Sequence, residues 1–359
     1  MIHRQVPEKE VAHVCPGRRG AVAENARRQA VGRALELLYA LSLTDSVFSA
    51  YDGHLMLAFA LIGTTSRDPV LSQRAVEMGR NRALHWVRQW PLIQRSINVD
   101  TVLQQVIACD ASQRLGVSSK HIARDLRTLM NGYSTAGLLY FDAAVEQAPD
   151  DIPEDCGCGY PNVRGCQSCT GCRRALQTRS RYEVWYYALT SAYFCRRQAM
   201  PVQVRTEDIM RHLVHLRPYP EPGAPDHYQA IYAASHTVYV LNDYGRARLS
   251  PRLLPLEKDF LERNMSWALD QGEPDTVGEI IDSLLALGVP ASDRLIVAGR
   301  SLLLDTQQAD GGWGDEADDY GRFHTLWTAI DGLREHAWTV RGVKDNALRR
   351  ALQASKPSA

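Results

Sequence analysis

Along most of the chain, apolar residues recur every three to four positions, and no run alternates apolar with polar residues over strand length. The pattern predicts helices over 21–43, 46–63, 67–90, 99–115, 119–131 and 134–147. Beyond a cysteine-rich interruption it predicts them over 180–197, 205–216, 226–242, 252–269, 275–287, 292–307, 321–336 and 343–353. Proline and glycine fall between these segments, as in RPYPEPGAP (217–225) and GVP (288–290). The expected class is all-α.

The apolar segments also repeat. HTVYVLNDYG from His236 aligns without gaps with HTLWTAIDGL from His324, and EIIDSLLALG from Glu279 lies between them, 43 residues after the first and 45 before the second. Each is followed by an amphipathic, charged segment, from Arg252, Ser292 and Val340. Such alternation suits two concentric layers, because inner helices are surrounded by protein while outer ones keep a wet face. Repeats of this length are helix hairpins. Fourteen helices are enough for an α/α toroid, a closed barrel of about six hairpins. The N-terminal half carries the repeat faintly, in YDGHLMLAFALIG from Tyr51. The expected organisation is a flexible N-terminal segment at 1–20 and one toroid domain at 21–359, with a cysteine-rich insert at 148–178.

Equivalent positions on parallel inner helices lie at one depth, so His236, Glu279 and His324 are expected to face one central cavity. Two imidazoles and a carboxylate suit zinc or non-haem iron with positions left open. The acidic loop ahead of His324 offsets the electropositive helix N-terminus there. His227 is a further candidate ligand. Nine residues at about 100° each set it opposite His236, so one of the two faces inward and the other is structural. Tyr239, in the His236 segment, is a candidate catalytic hydroxyl.

Two stretches carry a family resemblance. AGRSLLLDTQQADGGWG (298–314) resembles the QW repeat of squalene and hopene cyclases, and RFHTLWTAIDGL (322–333) is similar to a segment of protein prenyltransferase β subunits. Both families belong to one α/α-toroid superfamily, and the likeness covers about 110 residues, from His227 to Leu333. It implies that His324 is a zinc ligand. The prenyltransferase Asp-x-Cys ligand pair falls on Asp275 and Val277; Asp275 fits, Val277 cannot bind metal, and Glu279 is the candidate substitute. The cyclase likeness implies a protonating carboxylic acid, for which EADD (316–319) offers Asp318. A fold of this kind hosts many chemistries.

Composition narrows the partners. Lys plus Arg equals Asp plus Glu, 41 each, so no charge surplus draws the chain to nucleic acid or an anionic membrane. No stretch of about 18 uncharged apolar residues marks a membrane span, and the polar start lacks a signal-peptide core. A cytoplasmic location is expected. Fifteen tyrosines against six phenylalanines suit a partly polar cavity. Of eight cysteines, Cys156, Cys158, Cys166, Cys169 and Cys172 fall within CGCGYPNVRGCQSCTGC. Without an export signal, that clustering points to metal rather than disulfides: structural zinc, or an iron–sulfur cluster as the alternative.

The sequence is therefore expected to encode a metal-dependent enzyme acting in a central cavity on an apolar, isoprenoid-like or peptide-derived substrate. The alternative is a non-catalytic binding or scaffold protein that docks a protein partner through the cysteine-rich loop. A third option is a metal-independent type II terpene cyclase using Asp318.

Overall fold

The computed structural model describes residues 16–354, apart from 96, 98, 155, 159, 161, 315–317, 344 and 345. The first fifteen positions and half of the EADD stretch, Glu316 and Ala317, thus lie outside the described residues. The chain is all-α. In order it forms α1 (Pro16–Ser42), α2 (Asp45–Thr65), α3 (Pro69–Ile93), α4 (Val99–Arg114), α5 (Lys120–Met130), α6 (Thr135–Leu139) and α7 (Arg181–Arg197). Then follow α8 (Thr206–Met210), a 3-10 turn (Arg211–Leu216), α9 (His227–Leu241), α10 (Pro255–Gln271), α11 (Pro274–Ala286), α12 (Arg294–Thr306), α13 (Asp319–Leu333) and α14 (Asn346–Ala354).

Local chemistry sets most of the boundaries. Asp68, Asp293 and Asp318 cap α3, α12 and α13 by accepting from backbone N–H groups of the first turn. Gly272 ends α10 in the left-handed region. Two helix bounds differ from expectation. Helix α1 begins at Pro16, inside the segment expected to be flexible. The helix expected over 134–147 stops at Leu139, because Tyr140 takes φ 67° and lays its ring on Tyr187 of α7, 4.7 Å between centroids. A parallel pair of two-residue strands, β1 (Ala247–Arg248) and β2 (Val340–Arg341), is too short to leave a pattern in the sequence.

Neighbour contacts run from α2 to α4, α7, α9, α11 and α13 in turn, and α13 touches α2. Against them pack α3 on α2 and α4, α5 on α4, α10 on α9 and α11, α12 on α11 and α13, and α1 on α13 and α2. The first set is buried nearly all round: in α11 every residue from Thr276 to Ala286 is buried, whereas α12 buries only Ile296, Gly299 and Leu303. Helix α2 is long and apolar enough to cross a membrane, yet 72% of its apolar window is buried among the other helices, which makes it a core helix here.

Side-chain ties give the directions. Tyr232 reaches Asp275 and Ser235 reaches Glu279, so α9 and α11 run the same way. Thr328 reaches Asp275, while His336, just past α13, stands 3.0 Å from Asp282, so α11 and α13 are parallel too. Those last two helices touch through backbone. A Cβ added to Gly278 would lie 2.5 Å from the Thr328 carbonyl, and one added to Gly332 would lie 3.1 Å from the Gly278 Cα. The QW-like stretch closes the chain on itself. Gln307 donates to the Ala30 carbonyl of α1 (2.9 Å) and to the Gly311 carbonyl (2.9 Å), and Trp313 donates to the last turn of α12 at Leu303 (2.7 Å).

The G278A variant should lose about 1–3 kcal/mol of stability, the usual penalty for overpacking, because its new methyl meets backbone that cannot rotate away. Urea unfolding measures this.

Candidate functional site

A cavity of about 310 Å³ opens among the core helices. Its lining draws His54 from α2, Tyr186 from α7, His236 and Tyr239 from α9, Glu279 and Asp282 from α11, and Tyr320, His324 and Trp327 from α13. His54 gets there through a break in its helix. Tyr51 is non-helical (φ −134°, ψ 23°), and the buried Asp52 carboxylate restarts the helix by accepting from Gly53 N–H (2.6 Å). Gln104 and Gln105 of α4 hold the same carboxylate. Burial raises Asp52 to about 6, against those hydrogen bonds.

The α11–α13 contact sets Asp275 one turn ahead of Gly278 and brings it to α13. His324 Nδ1 lies 2.9 Å from Asp275 Oδ1, Thr328 donates to the same oxygen (2.8 Å), and Tyr232 donates to the other (2.9 Å). Burial alone would raise Asp275, but the adjacent His324 and the three hydrogen bonds hold it below the usual carboxylate range. One turn on, Glu279 accepts from Ser235 (2.7 Å) and lies 3.6 Å from His236 Nδ1. That Nδ1 also stands 2.9 Å from the Tyr232 carbonyl, which fixes it as the protonated nitrogen of the ring. Burial raises Glu279 to about 8, despite the nearby His324. Burial lowers His236 to about 4 and His54 to about 4, with His324 adding to both. Burial thus favours the protonated form of Glu279 and the neutral forms of His236 and His54. Among the described residues, Glu279 Oε2, His54 Nδ1 and Trp327 Nε1 have no hydrogen-bond partner.

The other expected residues fall elsewhere. His227 is the structural histidine of its helix: it is buried against α10, bonds Asn264 through Nε2 and stands edge-on to Trp267. It is not among the residues that line the cavity. Asp318 is exposed and caps α13 through Gly321 N–H (2.8 Å), so it lacks the dry surroundings an alkene-protonating acid requires. Tyr239 does line the cavity, its hydroxyl 3.3 Å from the Glu279 carbonyl, and burial pushes its phenol well up. A single zinc ion, with ligand atoms at about 2.0–2.3 Å, needs those atoms within about 4–5 Å of each other. Among the described residues no three histidine, aspartate or glutamate groups of the cavity converge in that way. His324 and Asp275 bond to one another instead.

Sequence reasoning did not nominate His54, Asp282 or Asp331. A signal existed for His54, which sits inside the faint N-terminal repeat, and for the two aspartates, since Asp282 lies in EIIDSLLALG and Asp331 takes the place that Asp243 holds in the His236 segment.

Ligand atoms do converge in the insert. Cys156, Cys158, Cys169 and Cys172 bring four sulfurs within 4.8 Å of one another, a set that can hold a metal ion such as zinc. The loop is shaped by short ladders: Glu154 N–H to Gln177 O, Arg179 N–H to Ile152 O, Leu176 N–H to Gln167 O and Cys169 N–H to Arg174 O, all 2.7–2.9 Å. The backbone N–H of Cys172 and the Cys156 thiol lower Cys169 to about 6, which favours the thiolate a metal requires. Cys166 is the correction here, since it stands outside the quartet.

Residues 176–328 match the model of a domain of unknown function, DUF6895. That stretch contains α7 to most of α13, and with them every cavity residue named above except His54 and Asp331. No curated protein and no solved structure matches the chain.

Two outcomes are expected. Metal analysis should find one ion per chain in wild type and in C166S, and none at this site in C169S. For Glu279 the folded pKa exceeds the ordinary 4.5, so its contribution to stability is complete below that value and is lost as pH rises through about 8. The E279Q variant should therefore gain on wild type by about 1.4 kcal/mol per pH unit across that window, read by urea unfolding at about pH 5 and about pH 9.

Proposed function

We propose that the protein is an enzyme, an α/α toroid whose central cavity transfers protons on a largely apolar substrate. The architecture is supported by the circuit of contacts from α2 through α13 back to α2, by the parallel run of α9, α11 and α13, and by the outer helices packed between neighbours. One observation carries the activity: Glu279 and His236 stand 3.6 Å apart inside an aromatic-walled cavity, where burial favours the protonated form of the first and the neutral form of the second. Two titratable groups pushed in opposite directions by one environment are how a site keeps an acid and a base ready at the same pH.

In this reading Glu279 and His236 exchange the proton with substrate, and Asp275 orients His324 at the cavity wall. Tyr239, Tyr320 and Trp327 shape the space. The resemblance in the C-terminal third suggests an isoprenoid-like or peptide-derived substrate. Metal dependence of the cavity is not carried forward, because its side chains pair with each other. Zinc is assigned to the cysteine quartet as a structural ion. A second reading, a binding protein that docks through the insert, rests on the exposed Tyr160 and Val163 on that loop.

The test is a panel of isoprenoid and modified-peptide compounds incubated in D2O. Wild type should convert a panel member with deuterium placed on carbon, and E279Q should be slower by about 10²–10⁴, the usual weight of general acid–base catalysis. Binding of panel members without any conversion by wild type would favour the binding protein.

A further inference from the structure

We propose that the cavity takes an organic cation, an amine or quaternary ammonium on an apolar body, rather than a phosphorylated or carboxylated molecule. This deepens, and rests on, the reading of the cavity as the active site.

The charges of the wall decide it. Glu279, Asp282 and Asp331 line the cavity, and among the described residues its lining includes no lysine and a single arginine, Arg334. That guanidinium is already engaged: its Nε donates to Asp331 Oδ1 (2.5 Å) and it reaches Ser66 Oγ (3.3 Å). His336 stands 3.0 Å from Asp282. A diphosphate or carboxylate entering here would find, among the described residues, no lysine and no arginine that is not already bonded to a carboxylate, so its charge would be buried without a guanidinium or ammonium partner.

Glu279 is the carboxyl that, among the described residues, no lysine or arginine reaches. It is 1% exposed, Ser235 serves Oε1, and among the described residues Oε2 has no hydrogen-bond partner. Around it stand π faces. The Tyr186 ring lies 4.9 Å from His236, Tyr320 stacks on His324 at 5.3 Å, and Tyr239 and Trp327 complete the wall. A cation gains from such faces most where water is excluded. On entry, the ammonium head pairs with Glu279, whose carboxyl proton leaves to solvent, so one proton is released for each cation bound. A cavity of about 310 Å³ is at the small end of ligand sites and suits a compact molecule.

The experiment is calorimetric titration of the full-length protein with four probes of one shape: 2-phenylethylamine, phenyltrimethylammonium, 2-phenylethanol and phenylacetate. Both cations should bind at least about tenfold tighter than the alcohol. Repeating the amine titration in buffers of different ionisation enthalpy should show proton release near neutral pH. In E279Q, with its fold checked by circular dichroism, the preference for cations and the proton release should both vanish. Equal binding of alcohol and amine, preference for phenylacetate, or no binding of either cation at millimolar concentration overturns the proposal. A cation preference without turnover of any compound would instead count against the enzyme reading alone, and turnover that fails in E279Q without a cation preference would sink this inference alone.

Discussion

The contact of α11 with α13 through Gly278 and Gly332 governs the geometry of everything around the cavity. With no side chain between them, the two backbones approach until one helix's N-terminal carboxylate falls within hydrogen-bond reach of the other's histidine. Asp275, His324 and Thr328 meet because of it, and Tyr232 of α9 joins the same carboxylate. A helix pair separated by ordinary side chains, 8–10 Å between axes, would leave these polar groups facing water or one another across a gap. The spacing of the helices is therefore chemistry as much as packing.

Much of the fold was legible because helices announce themselves by period and by breakers, and nearly every boundary fell within a few residues of its expected place. What the pattern could not reveal were features decided at a distance. Tyr140 leaves its helix to stack on Tyr187, and Tyr51 breaks α2 so that Asp52 can bond Gln104 and Gln105. The repeat alignment led to His236, Glu279 and His324, all of which line the cavity. It could not choose between His227 and His236, since helical geometry says only that they oppose. The choice was made by Asn264 and Trp267 on α10, which enclose His227 on the outer side. Asp318 looked chemical in sequence because acidic clusters do, but the same carboxylate is what a helix beginning after a glycine-rich loop needs as its cap.

The cysteine insert follows a different logic from the helical body. It has little apolar material, and its order rests on a few backbone pairings and four converging sulfurs. Spacing alone made five thiols equivalent. Only the path of the loop separates Cys166 from the other four.

The seam where the chain meets itself has a consequence for how the protein is made. Helix α1 leans on α13, its Ala30 carbonyl waits for Gln307, and Arg27 pairs with Glu335 at 2.8 Å. Although α2 and α3 follow at once and pack against it, the first helix leaves the ribosome some three hundred residues before α13 exists to complete the cover of its apolar stripe from Ala30 to Leu38. Contacts this distant in sequence form late and slowly, and until they form the nascent chain is an open arc with a sticky end.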